Sequence, residues 1–363
     1  MKERNYGIDL LRIFSMFLVA IVHTLGHGGV LGAAAPGSAN AYAALFLKAV
    51  AICAVNCFAI ITGFVMCEAK PRISKALQLW AQVAFYAICI TALCYVLFPG
   101  EVGYVAVFNA FLPVSRGQYW FITAYMGMYL LMPFLNIAVQ KLEKKTYAGM
   151  LVMFFVAFSL LPTVFNSNMF YLNGGYSTIW LCLMYLVGAY LRKFDSLKKA
   201  SRSKLFLSFG ICVSLTFLSK VVLAWVGKTV LGRTLPEDMF YQYVSPTVVL
   251  SAVFLVGVFS KISLGDVTKK VVGFFAPAAL GVYLIHDHIL VRMRLWEGVG
   301  QRLVTQNTGV MVLAILGIAL SILLACLLID RLRVYLFQCI RIPALCQKIE
   351  NRLNRCWNKW NKE

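Results

Sequence analysis

Acidic residues are scarce in this chain: 14 Asp and Glu stand among 363 residues, against 34 Lys and Arg. Charge of either sign is thin as well, at 13% of residues, where a soluble domain carries about 25%. A water-covered exterior along the whole chain is therefore excluded. The eleven Cys form no C-x-x-C pair and no metal-ligand spacing, and many fall inside apolar runs (Cys53, Cys57, Cys89, Cys94, Cys182, Cys212, Cys326). Neither a disulfide framework nor a metal is expected, and these thiols read as small apolar core residues. There is no P-loop, G-x-S-x-G or H-E-x-x-H motif, and no chain of intramembrane Asp or Glu to serve as a proton relay.

What is present is apolar length. Hydrophobic residues make up 61% of the chain, in stretches that reach the roughly 20 residues needed to cross a bilayer. Ten spans are expected, near 9–27, 41–67, 76–98, 119–139, 148–165, 178–191, 205–227, 243–260, 272–291 and 309–329. Residues 101–118 read as a loop before Trp120. The first run carries Asp9 and Arg12 and reads as a span rather than a removed leader.

The basic residues fall between these runs. With the N-terminus cytoplasmic, 25 of the 34 lie in inner segments and six in outer ones, and Arg12, Lys48 and Lys220 lie within spans. This alternation supports an even number of spans with both termini inside. It also explains the net charge of +20 as topology marking and contact with anionic lipid, so no nucleic-acid partner is expected. The fold class that follows is an all-α polytopic membrane protein. A transmembrane domain is expected over residues 1–330, followed by a basic amphipathic tail, 331–363. The tail interleaves Leu332, Leu336, Ile340, Leu345, Ile349 and Leu353 with basic residues and ends in Trp357 and Trp360. It reads either as a helix lying on the inner leaflet or as a partly disordered segment.

Ionisable groups in lipid are costly, so those inside spans are the first candidates for function. Arg12 and His23 are eleven positions apart in the first span. On a helix they share one face, about 16 Å apart. The four His occur as two pairs, His23 with His27 and His286 with His288. The topology delivers both pairs to a similar depth near the outer side, where an imidazole can serve as a general base. His27 and His288 read as interfacial, where a His is cheap. Asp9 and Arg12 form an i,i+3 pair that can neutralise itself. Arg12 together with Lys70, Arg72 and Lys75 would form a basic cytoplasmic mouth suited to a phosphate-bearing donor. Gly63 is placed to allow close helix packing or ligand approach. Trp120 reads as an interfacial anchor or as a stacking surface for a sugar ring. Lys48 and Lys220 read as snorkelling side chains.

Arg4, Asp9, Arg12 and His23, in the pattern Arg-x4-Asp-x-Leu-Arg-x10-His, resemble the opening signature of the membrane-bound acyltransferase family 3. The resemblance continues through Thr62-Gly63-Phe64, where that family usually has Ser-Gly-Phe, then Trp120-Phe121 with Tyr129 and Pro133, and Tyr283-Leu-Ile-His286. It implies about ten core spans and transfer of an acyl group, usually acetyl from acetyl-CoA, to a carbohydrate or lipid-linked glycan acceptor. It implies a catalytic role for His23, with Asp9, Arg12 and His286 beside it. Donor binding is assigned to Arg12, Lys70, Arg72 and Lys75, and acceptor binding to Trp120 and Tyr283. No C-terminal hydrolase-like domain of the kind some members carry follows the spans, so modification is expected to be completed in the membrane. A competing expectation is a transporter or flippase for a glycan or lipid-linked substrate, with Asp9, Arg12 and His23 along its path. The sequence shows no repeated halves of the kind common in transporters.

Overall fold

The computed structural model describes residues 4–360, with the side chains of 359 and 360 also outside the described set. Lys2 and Lys362, counted above for topology, and the side chains of Lys359 and Trp360 therefore lie outside the described residues. Thirteen helices of the described chain organise the molecule. They are α1 (Tyr6–Gly26), α2 (Ala39–Ala51), α3 (Ala54–Met66), α4 (Ile73–Leu97), α5 (Trp120–Lys141), α6 (Lys144–Phe155), α7 (Thr178–Lys193), α8 (Arg202–Thr229), α9 (Pro246–Ser260), α10 (Asp266–Phe275), α11 (Ala279–His286), α12 (Thr308–Cys339) and α13 (Ile342–Trp360). Among the described residues no strand is present. Among the described residues, nine helical segments are long and apolar enough to cross a membrane, and a tenth arises if the helix pair Met169–Gly175 and Thr178–Lys193, bent by 77°, is one span.

Helix starts follow local chemistry. Asn5 Oδ1 accepts the Ile8 N–H at 3.1 Å to cap α1. Ser38, Ser177, Ser201 and Asn307 cap α2, α7, α8 and α12 in the same way, each satisfying a backbone donor that has no partner within its helix. Pro246 opens α9, where its missing N–H costs nothing.

α1 runs through the middle of the bundle and packs on α2, α3, α9, α10, α11 and α12. The tightest crossing is α3 on α7. A Cβ on Gly63 would fall 1.9 Å from the Tyr185 carbonyl oxygen, and one on Gly188 would fall 1.9 Å from that of Ile60. Gly63 therefore serves helix packing, and Gly188 is its partner across the crossing. A second tie joins α4, α11 and α12 around Asp330, which is fully buried. Asp330 accepts from Gln82 Nε2 at 3.1 Å, from the Tyr86 hydroxyl at 2.8 Å, and from Arg333 at 3.0 and 2.6 Å. Gly281 leaves the room that its carboxylate occupies.

Three segments differ from expectation. Residues 101–118 contain a short helix, Tyr104–Phe111. The last span does not end at 330: α12 continues to Cys339, because Arg333 turns back to pair with Asp330 and apolar residues persist beyond it. The chain breaks only at Arg341, whose φ is +58°. The tail is then helical. Leu345, Ile349, Leu353 and Trp357 form an exposed apolar stripe at four-residue steps. The opposite side docks on α4, with Glu350 buried 3.6 Å from Arg72 Nε and Gln347 accepting from Arg72 Nη2.

Candidate active site: an imidazole cluster above a basic vestibule

His23, near the end of α1, meets His286, the last residue of α11. His23 Nδ1 lies 2.9 Å from His286 Nε2. The other nitrogen of His286 faces the Val282 carbonyl oxygen, which can only accept. His286 Nδ1 therefore carries a proton, and in neutral His286 Nε2 is the acceptor. His23 must then donate from Nδ1, which leaves its Nε2 lone pair bare. That tautomer is the one required of a base.

Asp287 completes the cluster. His23 Nδ1 at 3.6 Å, His27 Nε2 at 3.5 Å and Arg292 Nη1 at 3.4 Å all converge on its Oδ1. Burial alone would push the Asp287 carboxyl up, but His27, the two neighbouring imidazoles and Arg292 outweigh it and hold the group below its ordinary range. Sequence reasoning missed Asp287. The available signal was its place between two His, in a chain with few acids. His23, His27 and Asp287 also bring three metal-ligating atoms within 4.8 Å of one another, a convergence that the Cys spacing could not reveal.

His288 is not interfacial as expected. It is buried, because residues 287–288 turn inward after α11. Its Nδ1 lies 3.3 Å from the Leu290 N–H, which it can accept, and its Nε2 lies 2.9 Å from Gln118 Nε2. Burial pushes this imidazole down to about 4. His27, by contrast, is exposed as expected.

His23 faces a cavity of about 30 Å³, closed in by Phe58, Trp120, Phe121, Tyr243 and Tyr283 among others. Trp120 packs among other aromatic rings. Its ring lies 4.4 Å from that of Tyr176 and 5.9 Å from that of Tyr243, forming an aromatic wall. Asn56 holds this wall, donating to the Tyr243 carbonyl and accepting from the Trp180 indole, each at 2.9 Å. Tyr283 has a buried hydroxyl close to Asp287 and the Phe121 backbone, and its ring centre is 6.3 Å from that of His23.

Phe58 and Phe121 also line a second cavity, of about 540 Å³, into which Arg12, Lys70, Arg72 and Lys75 all project. The expected basic mouth is thus assembled, and the two rings (centres 6.0 Å apart) partition it from His23. Arg12 also borders a neighbouring cavity of about 900 Å³ with Arg4, Asp9 and Arg192. Asp9 is not brought to His23. It binds Arg4 Nε at 2.6 Å and Arg12 Nη1 at 2.8 Å, and so orients the vestibule's deepest cation. The loop bearing Lys70 and Arg72 is pinned by Asn136, which donates to the Met66 and Ala69 carbonyls, and by the Tyr129 hydroxyl on the Arg72 backbone.

A family model for an acyltransferase domain, that of acyltransferase family 3, matches residues 5–330. The chain belongs to the membrane-bound acyltransferase family 3. This membrane acyltransferase matches no curated protein and no solved structure. Its matched region ends at Asp330, the carboxylate that closes the α4–α11–α12 tie, so α13 lies beyond the acyltransferase domain.

Proposed function

We propose that this acyltransferase moves an acetyl group from cytoplasmic acetyl-CoA to a hydroxyl of a cell-surface glycan or its lipid-linked precursor, in the inner membrane. The observation that carries this reading is the pair of cavities sharing Phe58 and Phe121: four cations on one side, a lone-pair imidazole on the other. The donor set fits the donor substrate. Guanidinium and ammonium groups of Arg12, Lys70, Arg72 and Lys75 match its phosphates, while the aromatic partition suits a slender thioester arm.

In this reading His23 Nε2 removes the proton of the acceptor hydroxyl as its oxygen attacks the thioester carbonyl. The Nδ1–H, held by His286 and facing Asp287, keeps the imidazole in the tautomer that can accept. The charge that forms on His23 is stabilised by the Asp287 carboxylate. Tyr283, which lines the same cavity as His23, donates to the oxyanion. The C–S bond then breaks as the His23 imidazolium passes its proton to the departing sulfur, so CoA leaves as its thiol and the acetyl ester remains on the acceptor. The closed cavity at His23 holds about one water, so Phe58 and Phe121 must part for transfer. Trp120 and Tyr243 offer ring faces to a sugar.

The test is acetyl-CoA consumption by the purified protein with candidate saccharides, paired with NMR of glycan O-acetyl groups in a deletion strain. His23→Ala is expected to lose turnover at least about 10²-fold with expression retained, and Arg12→Ala to raise KM for acetyl-CoA. Full transfer activity in both variants would overturn the assignment.

A further inference from the structure

Two lysines inside spans stand outside the machinery described above, and the fold treats them differently. Lys220 on α8 is neutralised by Asp238 at 2.9 Å and Glu237 at 4.0 Å. Lys48 on α2 has no carboxylate within ion-pair distance and no hydrogen bond. Its ammonium lies over the Tyr241 ring, 5.1 Å from the centre, and that ring is fixed by the Tyr241 hydroxyl donating to the Leu45 carbonyl at 3.2 Å. Lys48 is partly buried where α2 packs on α8.

Both lysines line a groove of about 860 Å³ between these helices, together with Lys228, Glu237 and Asp238. Three ammonium groups against two carboxylates leave one positive charge uncompensated, and both carboxylates are turned to Lys220. The rest of the groove is apolar, and Tyr42 and Trp225 on its rim are exposed, on segments that satisfy the criteria for membrane spans. A site with one unmatched cation at its head and an apolar flank facing the hydrocarbon suits an anionic amphiphile.

We propose that Lys48, with Lys228, binds the phosphodiester of a single anionic phospholipid whose acyl chains lie along Tyr42 and Trp225. An ammonium that lies over an aromatic face, with only the more distant charge of Asp238 acting on it, gains a closer counter-ion by this binding. The lipid thereby fills the seam between α2 and α8. α2 also contributes Ala51 to the wall of the His23 cavity, one helical turn from Lys48, so the site would steady that wall without touching substrate.

The experiment is native mass spectrometry and thermal unfolding of the purified full-length protein in zwitterionic detergent. It is titrated separately with phosphatidylglycerol, phosphatidylcholine and inorganic phosphate. One saturable phosphatidylglycerol adduct with a raised melting temperature is expected, with neither effect from phosphatidylcholine. Lys48→Met should weaken the adduct at least fivefold, and Lys48→Arg should retain it. Should Lys48→Met fail to fold, the exposed Lys228→Gln is expected to weaken the adduct at least twofold. The proposal is overturned if inorganic phosphate alone reproduces the stabilisation, or if the Lys48→Met adduct equals that of the parent. It is likewise overturned if phosphatidylcholine binds equally well. None of these readouts depends on acetyl transfer.

Discussion

At the scale of single residues, the site is an arrangement of protons. The Val282 carbonyl and Asp287 together determine which nitrogen of His23 is free. Asp287→Asn keeps the volume but removes the charge that steadies an imidazolium and can reverse the donor–acceptor sense. Turnover is expected to fall by about 10²-fold or more, with KM for acetyl-CoA little changed, as initial-rate kinetics would show. His288 gives a pH signature of its own. Burial places its pKa near 4 in the folded protein, against 6.5 ordinarily. Between those values the unfolded chain takes up a proton that the folded one refuses, so acid favours unfolding. Stability should therefore drop by up to about 3 kcal/mol as pH falls from about 6.5 to about 4, and level off below. Melting curves across this range should show the slope in the parent and a shallower one in His288→Gln.

At the scale of elements, the helices were legible and their junctions were not. Apolar runs bounded by Asn5, Ser38, Ser201 and Asn307 mark where spans begin, because capping is local chemistry. The end of α12 is not legible at Asp330, since a charge in sequence looks like the end of a helix until its partners are known. The same holds for His288, whose burial depends on the turn after α11. The α3–α7 crossing depends on two glycines, and Gly188 has no feature in sequence that marks it as the mate of Gly63. Gly188→Ala places a methyl against the Ile60 carbonyl. It is expected to cost about 1–3 kcal/mol, read as a lowered melting temperature in detergent with the His23 chemistry intact.

At the scale of the whole molecule, a polar tie outside the imidazole cluster joins three helices of the bundle. Asp330 gathers α4, α11 and α12, and α11 ends in His286. Asp330→Ala leaves Arg333 buried without its partner, so a loss of about 3–5 kcal/mol is expected. Turnover per folded molecule should be far less affected, a split that active-site titration would reveal. Composition and periodicity by themselves determined that the chain is a helical, many-spanning membrane protein. They also placed Arg12 and His23 on one helix face, because hydrophobic length and the 3.6-residue repeat are properties of a local stretch. The motif residues named the family for the same reason. Tertiary structure decided that Asp287 is the hub, that Phe58 and Phe121 divide the basic vestibule from His23, that Asp9 pairs with Arg12 rather than His23, and that Lys48 has no carboxylate within ion-pair distance among the described residues. Each of these depends on which distant residues share a few ångströms of low-dielectric space, and that proximity is created only when the helices pack.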